Sequence, residues 1–298
     1  MWLLSTSIAF ITWALVSIFY KCTGKVNEYT HLKTGILVGL IMGGHALVYM
    51  LYKGLSINFI DVLKYFPISV LYIASMIIGY RGYKFIELSI SSPVQNTSGV
   101  ITAILLLLFF KEKYDFPFYI AVVLIFIGII WISLIELKDN KKKRIEYKKK
   151  NNITKVIAFT MIFPLLYCVL DGAGTFLDGI YLDKLELISE DSALVAYELT
   201  FLLYGIVTFI YLKIKNVKIK LINEKPKIAA AVFETAGQFF YVYAMSGNAT
   251  ISAPIVGSYC ILSMILSRIF LKEKLSLKEY MAIGLVLIGI VILAVMDI

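Results

Sequence analysis

Histidine and cysteine, which bind metals and take part in nucleophilic and acid–base catalysis, are scarce in the sequence. It contains only two histidines, His31 and His45, and three cysteines, Cys22, Cys168 and Cys260, far apart along the chain. Neither set has the spacing of a metal site or a disulfide framework, and neither an HExxH motif nor a nucleophile elbow occurs. We therefore expect no catalytic residues, no metal, no cofactor and no enzymatic activity.

Charged residues are also scarce. They make up 16% of the 298 positions, whereas hydrophobic residues make up 60%. An ordinary soluble domain is about a quarter charged, so this balance argues against a soluble fold and favours helices that face lipid. Stretches apolar and long enough to cross a bilayer lie near 2–20, 33–52, 64–82, 86–110, 116–136, 154–176, 191–212, 226–245, 249–271 and 277–296. The predicted fold is an all-α polytopic membrane protein with ten transmembrane helices.

Basic residues are divided unevenly between the two sides that ten spans define. Only five of the 29 lysines and arginines fall on the side that holds both termini, and the others include a run over 138–155. Because positive charge accumulates on the cytoplasmic side, we predict a plasma-membrane protein with both termini extracytoplasmic. The same rule accounts for the net charge of +9 without a nucleic-acid partner.

The chain also resembles itself at a shift of 161 residues. The features that match across this shift are proline, glycine and a short charged segment: Pro93 and Pro254, Gly128 and Gly289, and Lys111–Lys113 and Lys272–Lys274. Five spans in each copy turn the second copy upside down, because an odd number of crossings reverses direction. We predict two inverted five-helix repeats, 1–136 and 154–298, joined by a basic cytoplasmic linker, 137–153. Inverted repeats are typical of carriers that work by alternating access.

Each half closes with three similar segments. They read SSPVQNTSG, FFKEK and FIGII in the first half, and SAPIVGSYC, IFLKEK and LIGIV in the second. In these segments the chain resembles the drug/metabolite transporter superfamily, and especially its bacterial EamA-type ten-helix members. The resemblance covers essentially the whole chain and implies the transport of small solutes. It also implies that Trp13, His45, Glu198 and Glu234 lie on the helices that line the cavity.

Three ionisable side chains lie well inside predicted spans: His45, Glu198 and Glu234. A charged side chain near the centre of a lipid-facing helix costs about 2.5–3.5 kcal/mol, so all three should face a polar interior. Helical spacing places polar and aromatic side chains on the same faces. The full predicted set for substrate binding or coupling is Trp13, His45, Tyr49, Tyr197, Glu198, Tyr204, Glu234, Gln238 and Tyr241.

Several roles stay open for these residues. Glu198 and Glu234 can bind the cargo or carry a coupling proton, and His45 can instead be a satisfied interhelical hydrogen bonder. Pro93 and Pro254 each remove a backbone hydrogen bond just inside a span. We predict that they act as hinges; the alternative is a broken helix that faces the ligand.

Acidic residues indicate the charge of the cargo. The segment 171–191 carries six of them, which we expect to form an acidic vestibule outside the membrane: Asp171, Asp178, Asp183, Glu186, Glu190 and Asp191. Such a vestibule concentrates cations, and carboxylates beside aromatic rings hold ammonium groups. The predicted function is secondary transport of a small polar metabolite, preferably a small organic cation or amine, with a proton or cation as the coupling ion.

Other functions are weighed against this one. An amino-acid or drug exporter of the same fold stays open. A channel is disfavoured by the repeat, a membrane-embedded enzyme by the lack of catalytic motifs, and a lipid flippase by the lack of basic residues well inside the spans. The predicted partners are a small-molecule substrate and the lipid bilayer, and the chain is expected to be a monomer or a homodimer.

Overall fold

The protein is built from long apolar helices. The computed structural model describes residues 1–21, 29–82, 95–111, 113–147, 153–217, 225–270 and 275–296. The α-helices are α1 (Trp2–Lys21), α2 (Thr30–Lys53), α3 (Phe59–Gly82), α4 (Ser98–Phe110), α5 (Phe116–Tyr147), α6 (Ile153–Asp178), α7 (Glu190–Ile214), α8 (Lys225–Gly257), α9 (Tyr259–Phe270) and α10 (Leu277–Val295). A π-helical segment, Gly179–Lys184, follows α6. The described ranges contain no β-strand.

Length and composition suit these helices to a membrane. Within the described residues, the stretches long and apolar enough to cross a bilayer number seven: Trp2–Phe19, Thr30–Lys53, Phe59–Gly82, Ile162–Lys184, Glu190–Ile214, Lys225–Phe270 and Leu277–Val295. Two shorter apolar stretches are Ser98–Phe110 and Phe116–Ile132. Large hydrophobic side chains such as Leu51, Phe109 and Val291 are exposed, as expected of a surface that faces lipid. The chain is an all-helical polytopic membrane protein.

Helix α8 reverses direction at Asn248. This residue has non-helical torsions, φ −167° and ψ 89°. The Ser252 hydroxyl donates to the carbonyl oxygen of Ala244 at 2.9 Å, whereas residues eight apart in a continuous helix are separated by about 12 Å. The chain therefore folds back at Asn248, and α8 consists of two parts, 225–247 and 249–257.

Polar side chains cap the start of the second part of α8. Asn248 Oδ1 accepts a hydrogen bond from the backbone N–H of Ile251 at 3.1 Å. Asp183 Oδ2, from the π-helical segment, accepts one from the backbone N–H of Ala249 at 2.8 Å. Such N–H groups have no intrahelical partner at a helix start. The π-helical segment therefore holds the beginning of the predicted ninth span.

The predicted ninth span is itself interrupted. Helix α8 ends at Gly257, and α9 begins at Tyr259. The predicted hinge Pro254 is buried one turn before this interruption, where its missing N–H removes a helical hydrogen bond. The other predicted hinge, Pro93, lies outside the described residues, as does Lys272–Lys274.

Glycines allow close approach at two helix crossings. Where α5 meets α10, a side chain at Gly128 would collide with Val286 and crowd the carbonyl oxygen of Ala282, and one at Gly289 would collide with the carbonyl oxygen of Ala121. Where α4 meets the second part of α8, Gly99 lies against backbone atoms. Small residues of this kind are common at contacts between membrane helices, since they let backbones approach.

The predicted linker is partly helical. Helix α5 continues to Tyr147, through much of the range 137–153 that we assigned to the linker. Helix α6 begins at Ile153. Residues 148–152 lie outside the described ranges, as does Cys22. The division of the chain into 1–136 and 154–298 stays a prediction.

Candidate binding cavity

A cavity lies between α1, α3, α4, α6, α7 and both parts of α8, and the start of α9 also borders it. Counted out to its open mouth, it occupies about 970 Å³. Its polar and aromatic wall includes Trp13, Ser17, Tyr72, Ser75, Tyr80, Gln95, Asn96, Ser98, Tyr167, Asp171, Thr175, Tyr197, Glu234, Gln238, Tyr241 and Tyr259. Convergent polar groups in an otherwise apolar bundle mark the default candidate for a binding site.

The cavity reaches toward one end of the bundle. The second halves of α1 and α3 line it. The first halves of these helices lie toward the other end, because Trp2 meets Gly247 at the end of the first part of α8 and Tyr65 meets Asp178 at the end of α6. At the other end, which we call the Lys53 end, α2 finishes and α7 begins. There Lys53 Nζ lies 3.5 Å from Asp191 Oδ2. The cavity therefore extends away from the Lys53 end.

Two carboxyl groups face this cavity. Asp171 on α6 accepts a hydrogen bond from the Ser98 hydroxyl at 2.7 Å and acts electrostatically on Glu234 of α8. Glu234 makes no hydrogen bond or ion pair with the residues that the structure describes. No group of three or more histidine, cysteine or acidic side chains in that part of the chain could hold a metal ion. Two carboxyls facing one space can attract a cationic ligand.

Aromatic rings and unpaired donors lie in the same wall. The ring centroid of Trp13 is 5.0 Å from that of Tyr241 and 6.1 Å from that of Tyr259. Trp13 Nε1 and Gln238 Nε2 are buried without a hydrogen-bond partner among the described residues. Ring faces attract cations, whereas buried N–H groups without partners favour an acceptor on the ligand.

A third carboxyl, Asp178, lies behind the cavity wall. Its side chain is fully buried and accepts hydrogen bonds from the Tyr65 hydroxyl and, at 2.7 Å, from the Tyr72 hydroxyl. The Tyr72 hydroxyl lies 3.0 Å from that of Tyr241, and both of these tyrosines line the cavity. This network separates the cavity from the Lys53 end, because Asp178 ends α6 and Tyr65 lies in the first third of α3.

Five of the residues predicted from the sequence line the cavity: Trp13, Tyr197, Glu234, Gln238 and Tyr241. Helical spacing alone placed Glu234, Gln238 and Tyr241 on one face of their helix, and all three belong to the cavity wall. They come from α1, α7 and the first part of α8.

The other four predicted residues lie outside this cavity. His45 Nδ1 is 2.8 Å from Oε1 of the fully buried Glu198, and this pair joins α2 to α7. Tyr49 donates to Asp191 Oδ1 at 2.6 Å, near the Lys53 end. Tyr204 packs against a glycine of α2. These side chains contact neighbouring helices instead of the cavity, since each lies on a helix face that meets another helix.

We expected the acidic residues of the segment 171–191 to form an external vestibule. That expectation is wrong for the first two of them, Asp171 and Asp178. Helix α6 continues to Asp178, so Asp171 and Asp178 lie within the helix. Asp171, Thr175 and Asp178 are spaced by four and three residues, which places them on one helix face. This helical spacing is the sequence signal that could have placed the two carboxyls on one face of a helix.

Comparison with known proteins identifies the family. The sequence profile of the EamA-like transporter family matches residues 1–134 and again residues 161–295. The chain belongs to the EamA-like transporter family. This EamA-like protein is therefore a multi-pass membrane transporter of the drug/metabolite type.

Two individual proteins are similar to this EamA-like transporter. An uncharacterized protein of Methanocaldococcus jannaschii is 32% identical over 135 residues, which cover 42% of this chain and 96% of that protein. A protein of known crystal structure superposes with a TM-score of 0.70 over 98% of this chain and 96% of its own, at 10% identity. The similarity to this crystal structure shows only that the two proteins share a fold.

Proposed function

We propose that this EamA-like transporter is an alternating-access carrier whose cargo is a small organic cation or amine. The observation that carries the proposal is the pair of carboxyls, Asp171 and Glu234, in a cavity whose described lining contains no lysine, arginine or histidine. A cation that enters gains from both charges in a medium less polarisable than water. The rings of Trp13 and Tyr241 add cation–π attraction, about 2 kcal/mol when the cation is desolvated.

Ten membrane crossings are part of this proposal. The apolar stretch Lys225–Phe270 contains 46 residues, about 69 Å if it were one straight helix and twice the thickness of a bilayer core. Its reversal at Asn248 lets it cross twice. The seven long stretches then give eight crossings, because Lys225–Phe270 crosses twice, and the shorter apolar stretches of α4 and α5 bring the number to ten.

Two inverted five-helix repeats account for the packing of α5 on α10. Gly128 meets Ala282 and Gly289 meets Ala121, and each residue is separated from its counterpart by the same 161 positions (289 − 128 and 282 − 121). A two-fold relation between the halves produces reciprocal contacts of this kind. The two separate matches of the family profile also support the repeat. Exchange of conformation between inverted halves gives alternating access.

The position of the cavity supports a cytoplasm-facing state. The cavity extends toward the end opposite Lys53, and ten crossings place the basic run 138–155 at that end. Positive charge marks the cytoplasmic side of a plasma-membrane protein, which leaves both termini extracytoplasmic. In this state, the hydrogen-bond network around Asp178 closes the extracytoplasmic side.

A second cargo class, amino acids, is favoured by the unpaired donors. Trp13 Nε1 and Gln238 Nε2 can each donate to a carboxylate, while Asp171 and Glu234 hold the ammonium group of the same molecule. An exporter of amino acids or zwitterionic drugs would use both sets of groups at once.

A panel of four ligands with the same phenyl group tests these proposals. Phenethylammonium carries a positive charge, phenylalanine is a zwitterion, 2-phenylethanol is neutral and phenylacetate is negative. A ligand that binds only the folded protein raises its apparent melting temperature, and we expect phenethylammonium to do so. Stabilisation by phenylalanine alone would favour the second cargo class, and stabilisation by phenylacetate alone would overturn both.

Transport assays in liposomes separate a carrier from a channel. Liposomes that contain the protein are loaded with unlabelled phenethylamine, and labelled phenethylamine is added outside. Saturable exchange of the label would support alternating access. Ohmic current through single molecules would show a channel instead.

A further inference from the structure

We propose that Asp178 is the proton-binding site of this transporter, and that Tyr72 and Tyr241 connect its protonation to the cargo cavity. This inference rests on the proposed carrier function and assigns the proton and the cargo to different carboxyls. Asp171 and Glu234 face the cavity directly, whereas Asp178 reaches it only through tyrosine hydroxyls.

Asp178 is isolated from positive charge. It makes no ion pair with any residue in the described part of the chain. The titratable groups that act on it are Tyr65 and Tyr72 from α3, Tyr197 from α7, Tyr241 from α8 and Asp171 from its own helix. In the adjoining π-helical segment, Lys184 Nζ is paired with Asp183 Oδ2 at 2.8 Å. Ionisable groups inside a membrane protein are typical of proton relays and ion pathways.

The charge of Asp178 determines which hydroxyl group donates and which accepts in the hydrogen bonds around Tyr72. The Tyr72 hydroxyl lies 2.7 Å from Asp178 Oδ2, 3.1 Å from Thr175 Oγ1 and 3.0 Å from the Tyr241 hydroxyl. A tyrosine has one proton to donate, and a charged carboxylate can only accept. While Asp178 is charged, Tyr72 donates to it, and Tyr241 donates to Tyr72.

Protonation of Asp178 on Oδ2 reverses this chain. The carboxyl then donates to the Tyr72 oxygen, and the proton of Tyr72 turns toward Tyr241 or Thr175. Tyr241, when it accepts from Tyr72, turns its own proton toward the cavity. Tyr241 thus offers the cargo a lone pair when Asp178 is charged and a donor proton when Asp178 is neutral.

This reversal of the hydrogen bonds determines whether proton binding at Asp178 strengthens or weakens cargo binding. A donor proton repels an ammonium cargo, so proton binding at Asp178 weakens cargo binding in the cavity. Binding free energies are reciprocal, and the cargo therefore promotes proton release by the same factor. The proton comes from cavity water through Tyr241 and Tyr72 and returns by the same route; only O–H bonds form and break. This coupling drives exchange of cargo against protons.

Infrared difference spectroscopy of the protein in lipid tests the proton site without any cargo. Each carboxyl that takes up a proton on acidification contributes a C=O band. We expect one band of the wild-type protein to be missing from Asp178→Asn, while the bands of other buried carboxyls, such as Glu198, persist. Tyr65→Phe should shift the band, because it removes one hydrogen bond to Asp178 and leaves Tyr72 in place. This shift assigns the band even if Asp178→Asn does not fold.

Asp191→Asn is the matched control. Asp191 also accepts hydrogen bonds from two tyrosines, Tyr49 at 2.6 Å and Tyr243 at 2.7 Å, but it lies at the Lys53 end beside Lys53. Its replacement should leave the band in place. An Asp178→Asn spectrum that loses none of the wild-type C=O bands, or a missing band that does not titrate across the physiological pH range in the wild-type protein, would overturn the assignment.

Added phenethylammonium then tests the link to the cavity. We expect it to shift the titration of the wild-type band toward more acidic pH, and Tyr72→Phe to keep the band and lose the shift. An amine that binds by thermal shift but leaves the titration unchanged would overturn the relay. If the band titrates but none of the phenyl ligands binds, the cargo proposal fails while Asp178 keeps its role.

Discussion

Replacement of Glu234 by glutamine perturbs the cavity most directly. The side chain keeps its shape and loses its charge, and the fold depends little on it, because Glu234 makes no hydrogen bond with the described residues. A cation 4 Å from a carboxylate gains about 4 kcal/mol at an effective dielectric constant of 20. Asp171 retains part of that attraction. Since a hydrogen bond to a charged group contributes about 1.5–3 kcal/mol net, we expect the Kd for phenethylammonium to rise about 10- to 150-fold.

Isothermal titration calorimetry of the purified variant measures this change. The matched control is Glu190→Gln, which makes the same chemical change outside the cavity, where Glu190 accepts a hydrogen bond from Ser246 at 2.8 Å. The control should bind phenethylammonium as the wild-type protein does. Unchanged affinity in Glu234→Gln would refute the placement of the cation, and equal losses in both variants would show that affinity follows overall charge.

Two further predictions concern packing, and thermal unfolding in detergent measures both. Gly99→Leu should destabilise the protein by about 1–3 kcal/mol, as overpacking does, because a side chain there collides with the carbonyl oxygen of Ala253. Gly44→Leu should leave the stability unchanged, since nothing lies within 4 Å of a side chain at Gly44. Equal losses of stability in Gly99→Leu and Gly44→Leu would contradict the close contact of α4 with the second part of α8. His45→Ala should cost about 1–3 kcal/mol, the penalty for leaving the buried carboxyl of Glu198 unpaired, and an unchanged melting temperature would contradict that pair.

Most helices could be located from local composition. The sequence predicts spans at 33–52 and 191–212, and the structure has α2 at Thr30–Lys53 and α7 at Glu190–Ile214. Hydropathy succeeds here because each helix satisfies its own backbone hydrogen bonds and needs only an apolar surface. It fails to show the interruption after Gly257, because residues on both sides of that break are equally apolar.

The cavity was only partly accessible to sequence reasoning. Periodicity grouped Glu234, Gln238 and Tyr241 correctly, because three residues on one helix face stay together whatever that face contacts. It could not separate these residues from His45 and Glu198, which are equally polar and equally deep in their spans. Asp178 was missed because acidic residues near a predicted span end were assigned to the loop.

The sequence by itself determined where most helices lie, the family and the presence of carboxyls within the apolar stretches, since these follow from composition and from spacing along one segment. Only the tertiary structure decided which carboxyls share a space. Glu234 shares the cavity with Asp171, whereas Glu198 is 153 positions from its partner His45 in another contact. A helix presents several faces, and the packing of distant helices selects the one that meets the cavity. That packing separated the proposed cargo carboxyls from the carboxyl that we assign to the proton.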